Sequence, residues 1–259
     1  MLEITVLGSG SSGNATIIKH GFEAILIDAG FSGAELQRRL EHASVYSGCI
    51  QALLISHEHD DHIQGARVFA KRNGSIPAYS NSLTAERLKQ MKKAPEQIVV
   101  FANGTPFAIG PFEIEAFSVS HDAIDPVGFV ISCGPRKVGI VTDLGHLGKM
   151  VPLKLKDCDV LVMESNHDPD LLRQSRRPPH LVHRIQGRRG HLSNQGAAAM
   201  LSQVVGPATS HLVMAHLSED CNRPELVETA VHQSLVALQR TDIKVMVARQ
   251  DTVCETIVV

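Results

Sequence analysis

Five apolar runs in this chain end alike, at a side chain able to bind a metal or move a proton. LLIS runs into His57, FSVS into His121, GIVT into Asp143 and LVMA into His216, while LVM meets Glu164 just before a serine. Sites in layered α/β folds collect where the carboxyl ends of strands open into loops. One such ending is merely a polar residue closing a strand. Five of them describe a rim, and a fold that honours the pattern must bring these distant segments to one edge.

The remaining punctuation supplies the layers. Val- and Ile-rich runs broken by Gly or Asn turns read as strands: LEITVLG, ATIIKH, EAILIDAG, IQALLISH, FEIEAFSVSH, GFVISCG and KVGIVTD, then LVMES, HLVMAH and IKVMVARQ. GAELQRRLEHA, SLTAERLKQMKKA, SNQGAAAMLSQVVG and RPELVETAVHQSLVALQ read as helices between them, and DHIQGARVFAKR has helical character. No repeat, low-complexity block or linker divides the chain, so a single layered α/β domain over residues 1–259 is expected. GSGSSGN at residues 8–14 lacks the GK[ST] of a phosphate loop and is followed by a strand, which makes it a tight turn between strands.

With 43% hydrophobic residues, the chain can bury a sizeable core. It has no apolar run long enough to span a bilayer and no basic-then-apolar leader, so a soluble, cytoplasmic protein without membrane contact is expected. Cys49, Cys133, Cys158, Cys221 and Cys254 are scattered, odd in number and never paired as CxxC; they read as reduced thiols rather than a disulfide framework or thiolate zinc site. The net charge of −2 gives no global attraction for nucleic acid. Histidine is the outlier, with 14 copies.

Three of them lie in HEHDDH, residues 57–62. His57 and His59 are two apart, which points both the same way from extended backbone. Asp61 and His62 open the helical stretch that follows. Four ligands in six residues can therefore serve two adjacent ions, with His121, Asp143 and His216 completing the coordination. Imidazole with carboxylate suits Zn, Fe or Mn.

HEHDDH matches HxHxDH, the signature of the metallo-β-lactamase superfamily, and His121, Asp143 and His216 follow in the order of its later motifs. The resemblance implies an αββα sandwich, two mixed sheets flanked by helices, with a dinuclear site at its edge. It implies two divalent ions, the first held by His57, His59 and His121, the second by Asp61, His62 and His216, with Asp143 bridging. Asp28 matches an aspartate that supports the histidine loop without binding metal. Glu164 in MESNHD, His191 in RGHLSNQGAAAM and His216 in AHLSEDCN resemble motifs of tRNase Z-type phosphodiesterases. GSGSSGN, ESNHD, GHLSN and HLSEDCN are similar to those of the bacterial YycJ/WalJ group, which is associated with DNA exonuclease activity. A tRNA-clamping arm and a β-CASP insertion are both lacking, which counts against those RNA-processing roles.

The resemblance therefore implies a metal-dependent phosphodiesterase with DNA as substrate, in which two ions about 3.5–4 Å apart activate a bridging hydroxide. Asp61 and Asp143 would position that hydroxide. His191 would protonate the leaving oxygen or bind a phosphate oxygen, with Glu164 orienting it; the bland alternative for His191 is capping of the following helix. His167 reads either as support for the site or as a surface residue. Residues 171–191 carry six arginines and no acid, and Arg176, Arg177, Arg188 and Arg189 would guide a polyanionic backbone, unless the stretch is only a solvated loop or an oligomer contact. Two rival functions stand beside the nuclease: a phosphodiesterase opening a cyclic sugar phosphate, and a non-catalytic metal-dependent scaffold or nucleic-acid-binding protein. The oligomeric state is open, a dimer included.

Overall fold

A computed structural model describes all 259 residues. Its strands form two seven-stranded sheets. The first takes β1 (Leu2–Gly8), β2 (Ala15–His20), β3 (Glu23–Ile27), β4 (Ile50–Leu54), β5 (Ala78–Asn81), β6 (Ile98–Phe101) and the C-terminal β14 (Ile257–Val258), in the order β14-β1-β2-β3-β4-β5-β6. The second takes β7 (Phe107–Ile109), β8 (Phe112–Ser118), β9 (Val127–Cys133), β10 (Arg136–Val141), β11 (Val160–Glu164), β12 (His211–Ala215) and β13 (Lys244–Val247), in the order β13-β12-β11-β10-β9-β8-β7.

The strands read as continuous apolar runs because both faces of each sheet are covered. In β1, Leu2, Ile4 and Val6 face the interior between the sheets; in β11, Val160 and Val162 meet them from the other side. Leu26 on β3 and Leu53 on β4 face outward onto α1 (Gly33–His42), α2 (Asp60–Ile63), α3 (Ala66–Arg72) and α4 (Ser82–Gln90). Leu161, Met163 and Met214 face outward onto α5 (Met150–Leu155), α8 (Asn194–Val204) and α9 (Pro224–Ala237). Three buried apolar layers separate four structural ones, which is the expected αββα sandwich. DHIQGARVFAKR is broken at Gly65, where the chain passes so close to Phe31 that a Cβ would lie 2.0 Å from its carbonyl oxygen. The arginine-rich stretch is partly helical: it holds α6 (Pro169–Gln174) and α7 (Pro179–Gln186), parted by residues 175–178, and Arg176, Arg177, Arg188 and Arg189 all lie in the turns outside the two helices.

Pairing is parallel between β3 and β4 and through β10, β11 and β12, so these strands end at one edge. β8 and β10 both run antiparallel to β9, so β8 ends there too. Three residues at those ends hold left-handed backbone: Asp28 (φ 57°), Asp143 (φ 55°) and His216 (φ 57°). Asp and His are among the few side chains besides Gly and Asn that enter this region, and here it turns each strand end sharply into the loop that carries the site.

Candidate metal centre

The edge brings together every ligand-type residue singled out above. His59, Asp61, His121, Asp143, His191 and His216 line one open pocket, with His57 and His62 buried beneath. Several imidazoles are oriented from behind by groups that only accept. His62 Nδ1 lies 2.7 Å from Asp28 Oδ2, His216 Nδ1 2.9 Å from Glu164 Oε1, His191 Nδ1 2.8 Å from the same oxygen, and His121 Nδ1 3.1 Å from the Gly190 carbonyl. A carboxylate or carbonyl requires the proton on Nδ1, so each Nε2 is the nitrogen left for the site. His57 follows suit through Ser56, whose hydroxyl donates to Asp28 Oδ2 and lies 3.0 Å from His57 Nδ1. His59 is reversed, its Nδ1 lying 3.3 Å from His121 Nε2.

Four sets of ligand atoms lie within 4.8 Å of one another: His57, His59 and His121; Asp61, His62 and His216; His57, His62 and Asp143; and Asp143, Glu164, His191 and His216. Asp143 stands between the first two, its oxygens 3.0 Å from His62 Nε2, 3.4 Å from His121 Nε2 and 3.7 Å from His216 Nε2. Of the six buried side-chain atoms that lack a partner in hydrogen-bonding geometry, two belong to these sets, His57 Nε2 and Asp143 Oδ2. A buried acceptor left bare costs about 1–3 kcal/mol, and a cation is what would satisfy both. The donor set fits Zn, Mn or Fe.

Without a cation the carboxylates decide where the protons sit. Burial disfavours an imidazolium at His216, but Asp143, Asp61 and Glu164 outweigh it and raise that group to about 10. His62 is likewise raised, burial being overcome by Asp28, Asp61 and Asp143. His57 goes the other way, held well below the ordinary imidazole range by burial and by the charge of His62. Raised values mean that protons occupy His62 and His216 at neutral pH and must leave as an ion binds. Affinity at the Asp61, His62 and His216 set should therefore rise with pH, and titration calorimetry at pH 7 in buffers of differing ionisation heat should register release of roughly one to two protons as that set is filled. Binding without proton release would show that these two histidines are not ligands.

Sequence reasoning passed over several residues that build the site. Ser9 Oγ accepts the His216 backbone N–H at 2.8 Å and donates to Asn14 Oδ1 at 2.7 Å. Asn14 Nδ2 in turn donates to Asp61 Oδ2 at 3.2 Å, and its backbone N–H to the Asp61 carbonyl at 2.8 Å. The turn at residues 8–14 thus braces two of the candidate ligands, Asp61 and His216. Gly30 allows this, since a Cβ there would meet the Asp61 carbonyl oxygen at 1.7 Å. Glu58, within HEHDDH but given no ligand role, is buried and accepts the Ile124 N–H at 2.9 Å, tying down the loop that carries His121. Only the turn chemistry of Ser9 and Asn14 signalled any of this. His167 is buried, with Nδ1 unpartnered.

The structure also sorts the helix-capping alternative and the arginines. Ser193, not His191, caps α8, accepting the Gly196 N–H. Arg177 faces the cleft beside His191 and reaches Asp220 at 3.1 Å. Arg189 donates to the carbonyls of His121 and Ala123, at 3.1 and 3.2 Å, and so braces a ligand loop. Arg176 and Arg188 are exposed and outside both site pockets. Arg184, not singled out on sequence, lines both pockets and pairs with Asp122.

A family model described as the beta-lactamase superfamily domain matches residues 23–217. Exodeoxyribonuclease YycJ of Bacillus anthracis is 34% identical over 236 residues, 90% of this chain and 89% of that protein. Exodeoxyribonuclease WalJ of Streptococcus pneumoniae is 32% identical over 234 residues, 88% of this chain and 87% of its own length. The metallo-β-lactamase-fold protein YhfI of Bacillus subtilis superposes with a TM-score of 0.75 at 17% identity, covering 98% of this chain and 100% of that one, a likeness of fold. Fold and site together define a hydrolase of the metallo-β-lactamase fold. The chain belongs to the beta-lactamase superfamily and, within it, to the YycJ/WalJ family.

Proposed function

We propose that this chain is a dinuclear-metal-dependent phosphodiesterase that degrades DNA from strand ends. The observation that carries the reading is the position of Asp143, within 3.0–3.7 Å of imidazole nitrogens from both three-ligand sets. His57 Nε2, His59 Nδ1 and His121 Nε2 would hold one ion; Asp61, His62 Nε2 and His216 Nε2 would hold the other, with Asp143 shared. Such ions would supply Lewis acidity at phosphate and lower the pKa of water. Asp61, fixed by Asn14 and His216, orients the attacking oxygen from one side and Asp143 from beneath.

His191 serves the opposite end of the bond. Burial works against its charge, but Glu164 overrides that and raises its pKa, which favours the protonated ring, and with Nδ1 turned to Glu164 the Nε2 is the nitrogen left to donate into the cleft. The departing oxygen of a sugar is a poor leaving group and takes that proton. DNA as substrate is supported by the exodeoxyribonuclease relatives and by Arg177 and Arg184 beside His191. No helix is long and apolar enough to cross a membrane. A cytoplasmic location fits five cysteines that are all free.

Metal-reconstituted protein incubated with end-labelled single- and double-stranded DNA, RNA and bis-p-nitrophenyl phosphate tests the proposal. Stepwise loss of nucleotides from DNA ends is expected. Turnover of bis-p-nitrophenyl phosphate alone would leave a small-molecule phosphodiesterase; ions bound with no turnover of any ester would leave a scaffold.

A further inference from the structure

Beside His191 a cleft of about 160 Å3 runs between the ligand loops and α7, sharing Ser11, Asp122, Arg184 and His191 with the metal pocket. Its remaining polar lining comes from Arg177, Asn166 and Ser218. Arg177 is half-buried and its Nε has no hydrogen-bond partner. Ser218 Oγ accepts the Cys221 N–H at 3.2 Å, which leaves its own hydroxyl proton uncommitted. Arg184 is exposed and held only by Asp122. Donors from three parts of the chain thus converge on a space smaller than the roughly 300 Å3 of a drug-sized pocket. The lining has no aromatic residue on which a base could stack.

We infer that this cleft holds the phosphate next to the scissile one, on the leaving-group side of the strand, with Arg177, Arg184 and Ser218 as its ligands. The inference rests on the nuclease reading above. His191 gives the cleft its side: the imidazole that protonates the departing oxygen lies at the boundary between the two pockets, so the strand beyond that oxygen enters the cleft. Guanidinium binds phosphate bidentately, and partly exposed pairs such as Arg184–Asp122 and Arg177–Asp220 are weak enough for a phosphate to take over their guanidinium groups. Recognition there is of the backbone, so it discriminates strand length and end phosphorylation rather than base.

Dinucleotides read this directly. For the metal-loaded protein, kcat/KM should be at least about tenfold higher for one of the pair pTpT and TpTp than for TpT, which has no flanking phosphate. In Arg184→Ala and Ser218→Ala that ratio should fall toward one, while Arg184→Lys, which keeps the charge without the bidentate fork, should fall between. A ratio near one in the wild type, or variants that slow TpT and its phosphorylated forms equally, would overturn the cleft assignment while leaving a nuclease. Hydrolysis of bis-p-nitrophenyl phosphate with no cleavage of any dinucleotide would overturn the nuclease reading and this inference with it.

Discussion

Asp143→Asn should lower turnover by at least about 10³-fold and reduce the content of both ions together. The substitution is chosen for the backbone. Asp143 sits at φ 55°, a conformation Asn adopts readily and Ala does not, so the variant removes charge without adding strain. What it removes is a buried carboxylate facing His62, His121 and His216, held well below the ordinary carboxylate range although burial opposes the charge, because His216 and His62 outweigh it. Each three-histidine or histidine–aspartate set keeps its own ligands, but both lose the negative charge between them. The stabilisation that metal confers on folding is about 4 kcal/mol per site when free metal stands 1,000-fold above Kd, and most of it should vanish. Elemental analysis and melting curves with and without metal check the result. A variant that retains both ions at wild-type stoichiometry would show that Asp143 is not shared.

Much of this cluster was legible because ligand-type side chains at strand ends leave two signals at once, an apolar run and a His, Asp or Glu after it. His57, His121, Asp143, Glu164 and His216 all close strands or follow them closely, and the edge they share comes from parallel pairing of β10, β11 and β12. Elements with neither signal were lost. β5, β6, β7 and β14 have four residues or fewer, too short for a period to register. α6 and α7 were hidden by SRRPP, where prolines that begin one helix also end the pattern of the other. The bracing contacts were harder still. Ser9 and Asn14 lie more than 40 residues from Asp61 and some 200 from His216, and nothing local in a glycine-rich turn names its partner. Arg184 and Arg189 show the limit for charge: six arginines share one stretch, and only the folded path of α7 and its flanking turns separates those that face the cleft from one bound to carbonyls and others in solvent.

His191→Ala should cut hydrolysis of DNA by about 10²–10⁴-fold yet leave metal content and melting temperature near those of the wild type. Hydrolysis of bis-p-nitrophenyl phosphate should suffer far less, because p-nitrophenolate departs without a proton. The pH profile carries the same information. Glu164 raises the His191 pKa against the pull of burial, so proton donation is present at low pH and is lost as pH rises through that raised value; the alkaline limb of the DNA profile should disappear in the variant. Glu164→Gln separates orientation from chemistry. Glu164 Oε1 accepts from His191 and His216, and Oε2 from the backbone N–H groups of Leu144 and Leu192, at 2.8–3.0 Å throughout. An amide nitrogen in either position faces donors with nothing to accept from them, a mismatch of about 1–3 kcal/mol for each buried group left unsatisfied. That variant should therefore lose metal at the His216 site and turnover on both substrates, where His191→Ala spares the metal. Equal losses on DNA and on bis-p-nitrophenyl phosphate in His191→Ala, accompanied by loss of metal, would instead make His191 a structural partner of Glu164.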